Sequence, residues 1–413
     1  MPDPLTIVLV GIGGYGEVYL SALLDSPARA DVRFLAAVDP ESHRSPRARQ
    51  LHQLGVPVYE SLERFYANDV ADLAVLSTPI HFHCPQTCLA LRHGSAVLCE
   101  KPAAATVQEV DRMLEAEHRS RRFVAVGFQW SFSPPIQRLK RDIGAGVFGR
   151  PRRARALTLW PRPRTYYTRN AWAGRLRDDA GNWILDSPAN NAMAHDLHNL
   201  LFLLGDEPPG SAHPIELLAE TYRANAIETY DTVATRVRTD TDVDIVFLAS
   251  HAVRETSDPA FLLEFDDATL SFRGGASPIV ARCHDGSMRS YASPNSVPQM
   301  MKLWSCVDAQ YRGTPPACGL RAARAHTLCI NGIHRSVRAP AVFPADHLHE
   351  DEVDGEPSIV MRDLPGIMRD CYDHHALPHE RGIPWAQPGR LVDLREFRFP
   401  SNRPQNRSSS AAP

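Results

Sequence analysis

The residues best suited to chemistry fall into a few groups along the chain. Gly11-x-Gly13-x-x-Gly16 follows directly on the apolar run Leu5–Val10. Glycines so placed serve the phosphates of a nucleotide. Gly11 allows a tight turn, Gly13 lets backbone amides approach the anion, and Gly16 lets the next helix pack close with its N-terminal partial charge facing it. Gly14 and Tyr15 lie in the same loop. Asp39 ends a second apolar run, 23 residues beyond Gly16, where a carboxylate would accept hydrogen bonds from an adenosine ribose. An ordinary glycine-rich turn is the alternative; strand, helix and acid together favour a bound dinucleotide.

Two further segments stand at the ends of apolar runs: Ser77-Thr78-Pro79 with His83, and Glu100-Lys101-Pro102. A lysine at a strand end inside a cleft can donate to a substrate oxygen, and desolvation readily shifts its pKa. On residue type alone a solvated surface lysine is the commoner state. Farther along, Ser187 reads as an N-cap and Pro188 as the first position of a helix over 188–204, closed by Gly205. Asn191, His195 and His198 then share one stripe opposite Leu197, Leu200, Leu201 and Leu204. Such a stripe is most often a solvated polar face. It also suits a metal pair or a general acid/base. Between Trp160 and Trp172, rings and guanidiniums interleave in a proline-stiffened loop that includes Arg164, Tyr167 and Arg169. This composition fits a polyhydroxylated substrate, neutral or anionic, and equally a loop packed on a sheet. His81-x-His83-Cys84-x-x-x-Cys88 has zinc-ligand residue types. Its cysteines would have to turn outward from a helix opened by Pro85, so no metal is expected.

Apolar runs at 5–10, 33–38, 72–76, 96–99 and 123–126 alternate with helical stretches at 17–24, 41–54, 84–92 and 106–118. That alternation predicts a doubly wound parallel sheet. Pro134-Pro135 opens a helix to Ile143. Strand-like segments follow at 151–160, 215–222, 231–239, 242–251, 260–265 and 268–273, which predicts an open, mainly antiparallel sheet. Helices near 298–311 and 320–336 are expected to return to the first domain, with another at 364–375. The expected organisation is an α/β Rossmann domain over 1–130, an α+β domain over 131–340, an extension over 341–400 and a disordered tail over 401–413.

The chain has 413 residues, 43% hydrophobic and 23% charged, with a formal net charge of −3. These are globular values with no basic field for nucleic acid or a membrane surface. No apolar run nears the roughly 20 residues of a membrane span. Eight scattered cysteines and the absence of a signal-like N-terminus point to reduced thiols and a cytoplasmic location. Asp39 favours NAD, while His43, Arg44 and Arg47 leave NADP open. The exposed face of the second sheet is expected to make a homodimer or homotetramer.

The glycine loop, Ser77-Thr78-Pro79 with His83, Glu100-Lys101-Pro102 and the histidine-bearing helix resemble, in order and spacing, the glucose–fructose oxidoreductase/inositol dehydrogenase/MocA-like oxidoreductases. The resemblance spans residues 5 to about 335. It implies a dehydrogenase acting on a sugar or cyclitol, with the site between the two domains. Lys101 would contact the substrate oxygen, and His195 would act as acid/base, with Asn191 orienting groups where the family carries an acid. Met193 and His198 replace the family's glycine and second acid. The cofactor contacts so implied are Gly11, Gly13, Gly14, Tyr15, Gly16, Asp39, Ser77, Thr78, Pro79, His83, Glu100 and Lys101. The substrate contacts are Lys101, Gln129, Arg164, Tyr167, Arg169, Trp172, Asn191, His195 and His198. The resemblance leaves two other outcomes open: glycosidic cleavage by transient oxidation with retained NAD, and dinucleotide binding without chemistry.

Overall fold

Short apolar runs, four of them buried along almost their whole length, build the first layer. In a computed structural model, which describes residues 3–25, 31–205 and 210–399, Leu5–Val10 (β1), Val32–Val38 (β2), Val58–Tyr59 (β3), Leu73–Leu76 (β4), Ala96–Cys99 (β5) and Val124–Val126 (β6) form one sheet. Its order is β3-β2-β1-β4-β5-β6, and every pairing is parallel. The helices Gly16–Leu24 (α1), Ala48–Gln53 (α2), Leu62–Tyr66 (α3), Ile80–Arg92 (α4) and Val107–Ser120 (α5) connect the strands. Strand order reverses between β1 and β4, and ligands bind outside the carboxyl ends of strands at such a point. Gly11 and Ser77 both stand there.

Local chemistry explains where elements depart from the sequence reading. The expected helix over 41–54 is split, because Ser45, held extended at ψ 130° before Pro46, separates a turn of 3-10 helix from α2. Pro79, not Pro85, precedes α4; Pro85 lies inside it. The helix expected over 188–204 begins only at Ala194. Over 187–193 asparagine side chains compete for the backbone instead. Asn190 donates to the carbonyls of Ile184 and Leu185, at 3.2 and 3.1 Å.

After Pro134–Gly144 (α6), Pro151–Leu159 (β7) starts the second sheet, and Ala194–Leu203 (α7) packs on it. Pro214–Arg223 (β8), Thr232–Thr239 (β9), Asp244–Ser250 (β10), Ser257–Phe265 (β11), Ala268–Phe272 (β12), Ile279–Cys283 (β13) and Met288–Tyr291 (β14) complete it, in the order β14-β13-β12-β11-β7-β10-β9-β8. Pairings are antiparallel except β7 with β10. Met301–Arg312 (α8) and Leu320–Ser336 (α9) reach back to the first sheet, α8 against β5 and α9 against α5 and β6.

The chain from residue 341 onward changes the expected outer face. Ala341–Val342 (β15) and Val392–Asp393 (β18) add to β8, while Leu348–Val353 (β16) and Glu356–Met361 (β17) form a hairpin beside Leu364–Asp373 (α10). Met361, Leu364, Met368, Cys371 and Leu377 share a core with Leu157, Leu159, Tyr222, Ala234, Val246 and Leu248. The face expected to meet a second copy is thus covered over β7–β10 by the chain itself, which removes the stated reason for an oligomer there. The expected tail over 401–413 lies outside the described residues. Among those described, all eight cysteines are free, and no helix is long and apolar enough to cross a membrane.

Candidate active site

The glycine loop is shaped by what its neighbours forbid. Gly11 has φ +82°, and a Cβ there would come within 2.5 Å of the Ser77 carbonyl oxygen; at Gly16 it would come within 2.1 Å of the Gly11 carbonyl. Gly13 differs, since a Cβ there would meet nothing within 4 Å. It faces open space at the head of α1, as a phosphate cradle requires. Asp39 ties the loop down by accepting from the amides of Ile12 and Glu41, at 2.9 and 2.8 Å.

Two cavities meet at this loop, and Gly13, Ser77, Thr78 and Pro79 border both. One, of about 730 Å³, runs past Gly11, Asp39, Glu41, Leu62 and Phe82. The other, of about 650 Å³, runs between the sheets past Gly14, Tyr15, Lys101, Gln129, Trp172, Asn191 and His195. A dinucleotide laid across Gly13 would put one half in each. The second cavity is lined from both parts of the chain, by Lys101 after β5 and by His195 on α7.

Glu100 and His83 position the second cavity's floor. Burial opposes a charge on Glu100, but Lys302 from α8 ion-pairs with it, Tyr19 donates to it at 2.6 Å, and its pKa lies below the usual range. Lys302 is 1% exposed, and it also donates to the Tyr15 hydroxyl at 3.1 Å. His83 sets its Nδ1 and Nε2 each 2.8 Å from a carbonyl, those of Pro102 and Thr78. Burial holds its pKa down, and a neutral ring donates from one nitrogen. His83 therefore bonds the loop after β4 or the loop after β5 through that one N–H and packs against the other. His81 faces Asp178 at 3.7 Å, Cys84 bonds the Glu109 carbonyl, and no metal-binding group of three His, Cys, Asp or Glu forms among the described residues.

Lys101 and His195 meet across the cleft. The ammonium donates to the Asn191 carbonyl at 2.9 Å and to its Oδ1 at 3.2 Å. Asn191 is oriented in turn, because its Nδ2 donates to Asp186 Oδ1 at 2.8 Å. Asp186 also accepts from the Gly174 amide at 2.7 Å. Burial raises the Asp186 pKa and lowers that of Lys101 to about 8. An ammonium has three donors, so one remains for the cavity. Burial, with the Lys101 charge next, pushes His195 well below its ordinary value. Its Nδ1 is buried without a partner, which leaves Nε2 to meet a ligand.

Other candidates are placed elsewhere. His198 lies in the core, stacked 3.7 Å from Phe128 with Nε2 at 3.0 Å from Ser131 Oγ, because α7 is packed on all sides and has no solvated stripe. Arg164 pairs with Glu350 of the extension. The Tyr167 hydroxyl is buried without a partner, outside both cavities. Arg169 stacks on Tyr166 at 3.6 Å and on Trp172 at 5.1 Å, at the rim. Trp160, Arg162 and Asn170 were expected only as members of the 160–172 loop, Asp186 was not expected as a site residue, and Lys302 and Gln299 were missed altogether. Lys302 did carry a signal: it shares a helical face with Cys306 and Ala309, where a lysine needs a buried partner.

Residues 5–128 match the model of an oxidoreductase family described as having an NAD-binding Rossmann fold. Inositol 2-dehydrogenase 4 of Saccharopolyspora erythraea is 35% identical over 148 residues, covering 36% of this chain and 43% of that protein. Inositol 2-dehydrogenase of Acidothermus cellulolyticus is 30% identical over 212 residues, 48% of this chain and 61% of its own. The chain thus spans about half the length of the curated relatives it matches. The crystal structure of the WlbA dehydrogenase from Bordetella pertussis, in complex with NADH and UDP-GlcNAcA, shares the fold. Its TM-score is 0.65 at 21% identity, covering 81% of this chain and 97% of that one. Over residues 5–128 the chain is thus similar to the Gfo/Idh/MocA oxidoreductases, and it has the Rossmann fold described for that family.

Proposed function

We propose that the protein is an NAD-dependent dehydrogenase that interconverts a secondary alcohol of a sugar or cyclitol with its ketone. The observation that carries this reading is the convergence of Lys101, which follows β5, and His195, on helix α7, on the cavity bordered by Gly13. The open space at Gly13 and the carboxylate of Asp39 fit a dinucleotide. NAD is favoured over NADP because the cations that could meet a 2′-phosphate are already engaged. Arg44 and His43 face Glu41, and Arg47 pairs with Asp25. Glu60 and Glu63 add negative charge to the same cavity. When bound, the nicotinamide ring supplies the acceptor for a hydride.

The remaining work falls to the chain. His195, neutral at physiological pH, takes the hydroxyl proton on Nε2 as the alcohol becomes a ketone, and returns it in reverse. Lys101 donates its third hydrogen to the same oxygen and stabilises the negative charge that develops there. Asn191, held by Asp186, fixes the direction of that donor. The walls of the second cavity and the buried Glu100–Lys302 pair keep the reacting groups shielded from bulk water. Free cysteines fit a reducing compartment, here read as the cytoplasm.

The test follows nicotinamide absorbance with NAD⁺ and a panel of cyclitols and aldoses. Turnover is expected, and His195→Ala should lower kcat by roughly a hundredfold or more. Turnover that survives loss of both His195 and Lys101 would refute the reading. Absence of turnover with the whole panel, despite tight NAD⁺ binding, would favour a dinucleotide binder without chemistry.

A further inference from the structure

The second cavity holds a cation that the proposed chemistry does not use. Arg162 follows β7, in a loop pinned to the end of β10: the Arg162 amide donates to the His251 carbonyl at 3.3 Å, and His251 Nδ1 lies 2.6 Å from the Trp160 carbonyl. Burial lowers the His251 pKa to about 3, so the ring is neutral and Nδ1–H is the donor. The loop is therefore held on both sides, and Arg162 has a defined place.

Among the described residues lining this cavity, Arg162 is the one guanidinium. It lies over Tyr166 at 5.0 Å and near Trp160 at 5.9 Å, and one terminal nitrogen donates to the Pro161 carbonyl at 3.1 Å. Its Nε is buried with no hydrogen-bond partner. No carboxylate among the described residues is paired with it. The one carboxylate in the lining, Glu100, is neutralised by Lys302. Asp186 stands behind Asn191 on the Lys101 side, so the guanidinium of Arg162 is the cation of the substrate half with no carboxylate paired to it among the described residues. A planar guanidinium with free donors recognises a carboxylate or phosphate in charge-assisted, two-point geometry.

We infer that the substrate is an anionic polyol, and that Arg162 binds its carboxylate or phosphate while Lys101 and His195 act on a hydroxyl. Arg162 is thus a specificity-determining residue. The inference rests on the polyol reading of the cavity, and its test reads binding separately from turnover.

Three matched probes are titrated calorimetrically into the NAD⁺-loaded protein: D-glucose, D-glucuronate and D-glucose 6-phosphate. At low salt at least one anion should bind roughly tenfold or more tighter than glucose. Which anion does so separates carboxylate from phosphate. The preference should shrink as salt is raised. Arg162→Gln should bring the ratio close to one with NAD⁺ affinity and melting temperature unchanged, and Arg162→Lys should keep part of the preference. A ratio of one or less, or no binding of either anion, overturns the inference. So does an Arg162→Gln variant that weakens glucose and anions alike, or one that weakens NAD⁺, which would place the guanidinium on the dinucleotide's own phosphates. Anion binding without any nicotinamide absorbance change would remove the redox reading and leave this one standing; turnover of glucose with no anion preference would do the reverse.

Discussion

At the scale of single residues, the site works through a chain of hydrogen bonds rather than a pair of adjacent charges. Asp186 orients the Asn191 amide, and Asn191 uses two of the three Lys101 donors. The polarity runs one way: carboxylate to amide, amide oxygen to ammonium. Asp186 also supports the Lys101 charge against the burial that pushes its pKa to about 8. Lys101 acts protonated, so activity should be full below that value and fall as pH rises through it. Asp186→Asn removes the supporting charge. The alkaline limb of kcat/KM should then move to lower pH, and kcat should fall by up to roughly a hundredfold as the donor loses its direction. A pH–rate profile of the variant that overlays the parent would show that the relay has no bearing on Lys101. The same residues show why a reading by motif position was incomplete. Asn191 is expected from the sequence to orient a substrate hydroxyl or the imidazole, and in the structure its side chain accepts from Lys101.

At the scale of elements, the glycines of one loop have separable duties. Gly13→Val adds atoms to open space at the cradle, so dinucleotide affinity should collapse while the fold persists. Gly11→Ala and Gly16→Ala drive a methyl into carbonyl oxygens 2.5 and 2.1 Å away and should instead lower the melting temperature. Calorimetric NAD⁺ titration beside thermal melts separates the two outcomes; equal loss of stability in all three would contradict the assignment. Helix α7 yields a second expectation. Asp196 is buried there, accepts from Thr158 Oγ1 at 2.7 Å, and burial raises its pKa to about 7. Its ionised form costs stability, a cost absent at pH 4 and complete above pH 7. Asp196→Asn keeps the acceptor and removes the charge. The variant should gain on the order of 2–4 kcal/mol at pH 8 and almost nothing at pH 4, by denaturant unfolding. Equal changes at both pH values would show that burial does not raise the Asp196 pKa above its unfolded value.

At the scale of the whole molecule, the extension is tied to the substrate loop as well as to the sheet. Arg164 pairs with Glu350, and Thr165 bonds Glu356, so the β16–β17 hairpin holds the turn that follows Trp160 and Arg162. Exposed pairs of this kind contribute little each, about 0–1 kcal/mol. The double change Glu350→Ala/Glu356→Ala should therefore raise the substrate KM a few-fold and leave the NAD⁺ KM alone. Met368→Asp, which puts a charge into the core beneath α10, should undock the extension and expose 341–394 to limited proteolysis. A Met368→Asp variant as protease-resistant as the parent would show that α10 is not held by that core. The covered face was itself written in the chain: Ile245–Ala249 is apolar at every position, as a strand buried on both faces must be.

Periodicity along the chain was enough to determine the strand–helix alternation of the first sheet, the phosphate loop and the acid beyond it, since these depend on residues close in sequence. The same holds for the second sheet's main strands, although β3, β13 and β14 were too short or too polar to stand out. What covers the second sheet, where α7 begins, why His198 is core while His195 faces the cleft, and which arginine of the 160–172 loop enters the cavity were decided by tertiary structure. Each depends on groups far apart in the chain, such as Lys302 with Glu100 or Met368 with Val246, and no local pattern reports the packing that brings them together.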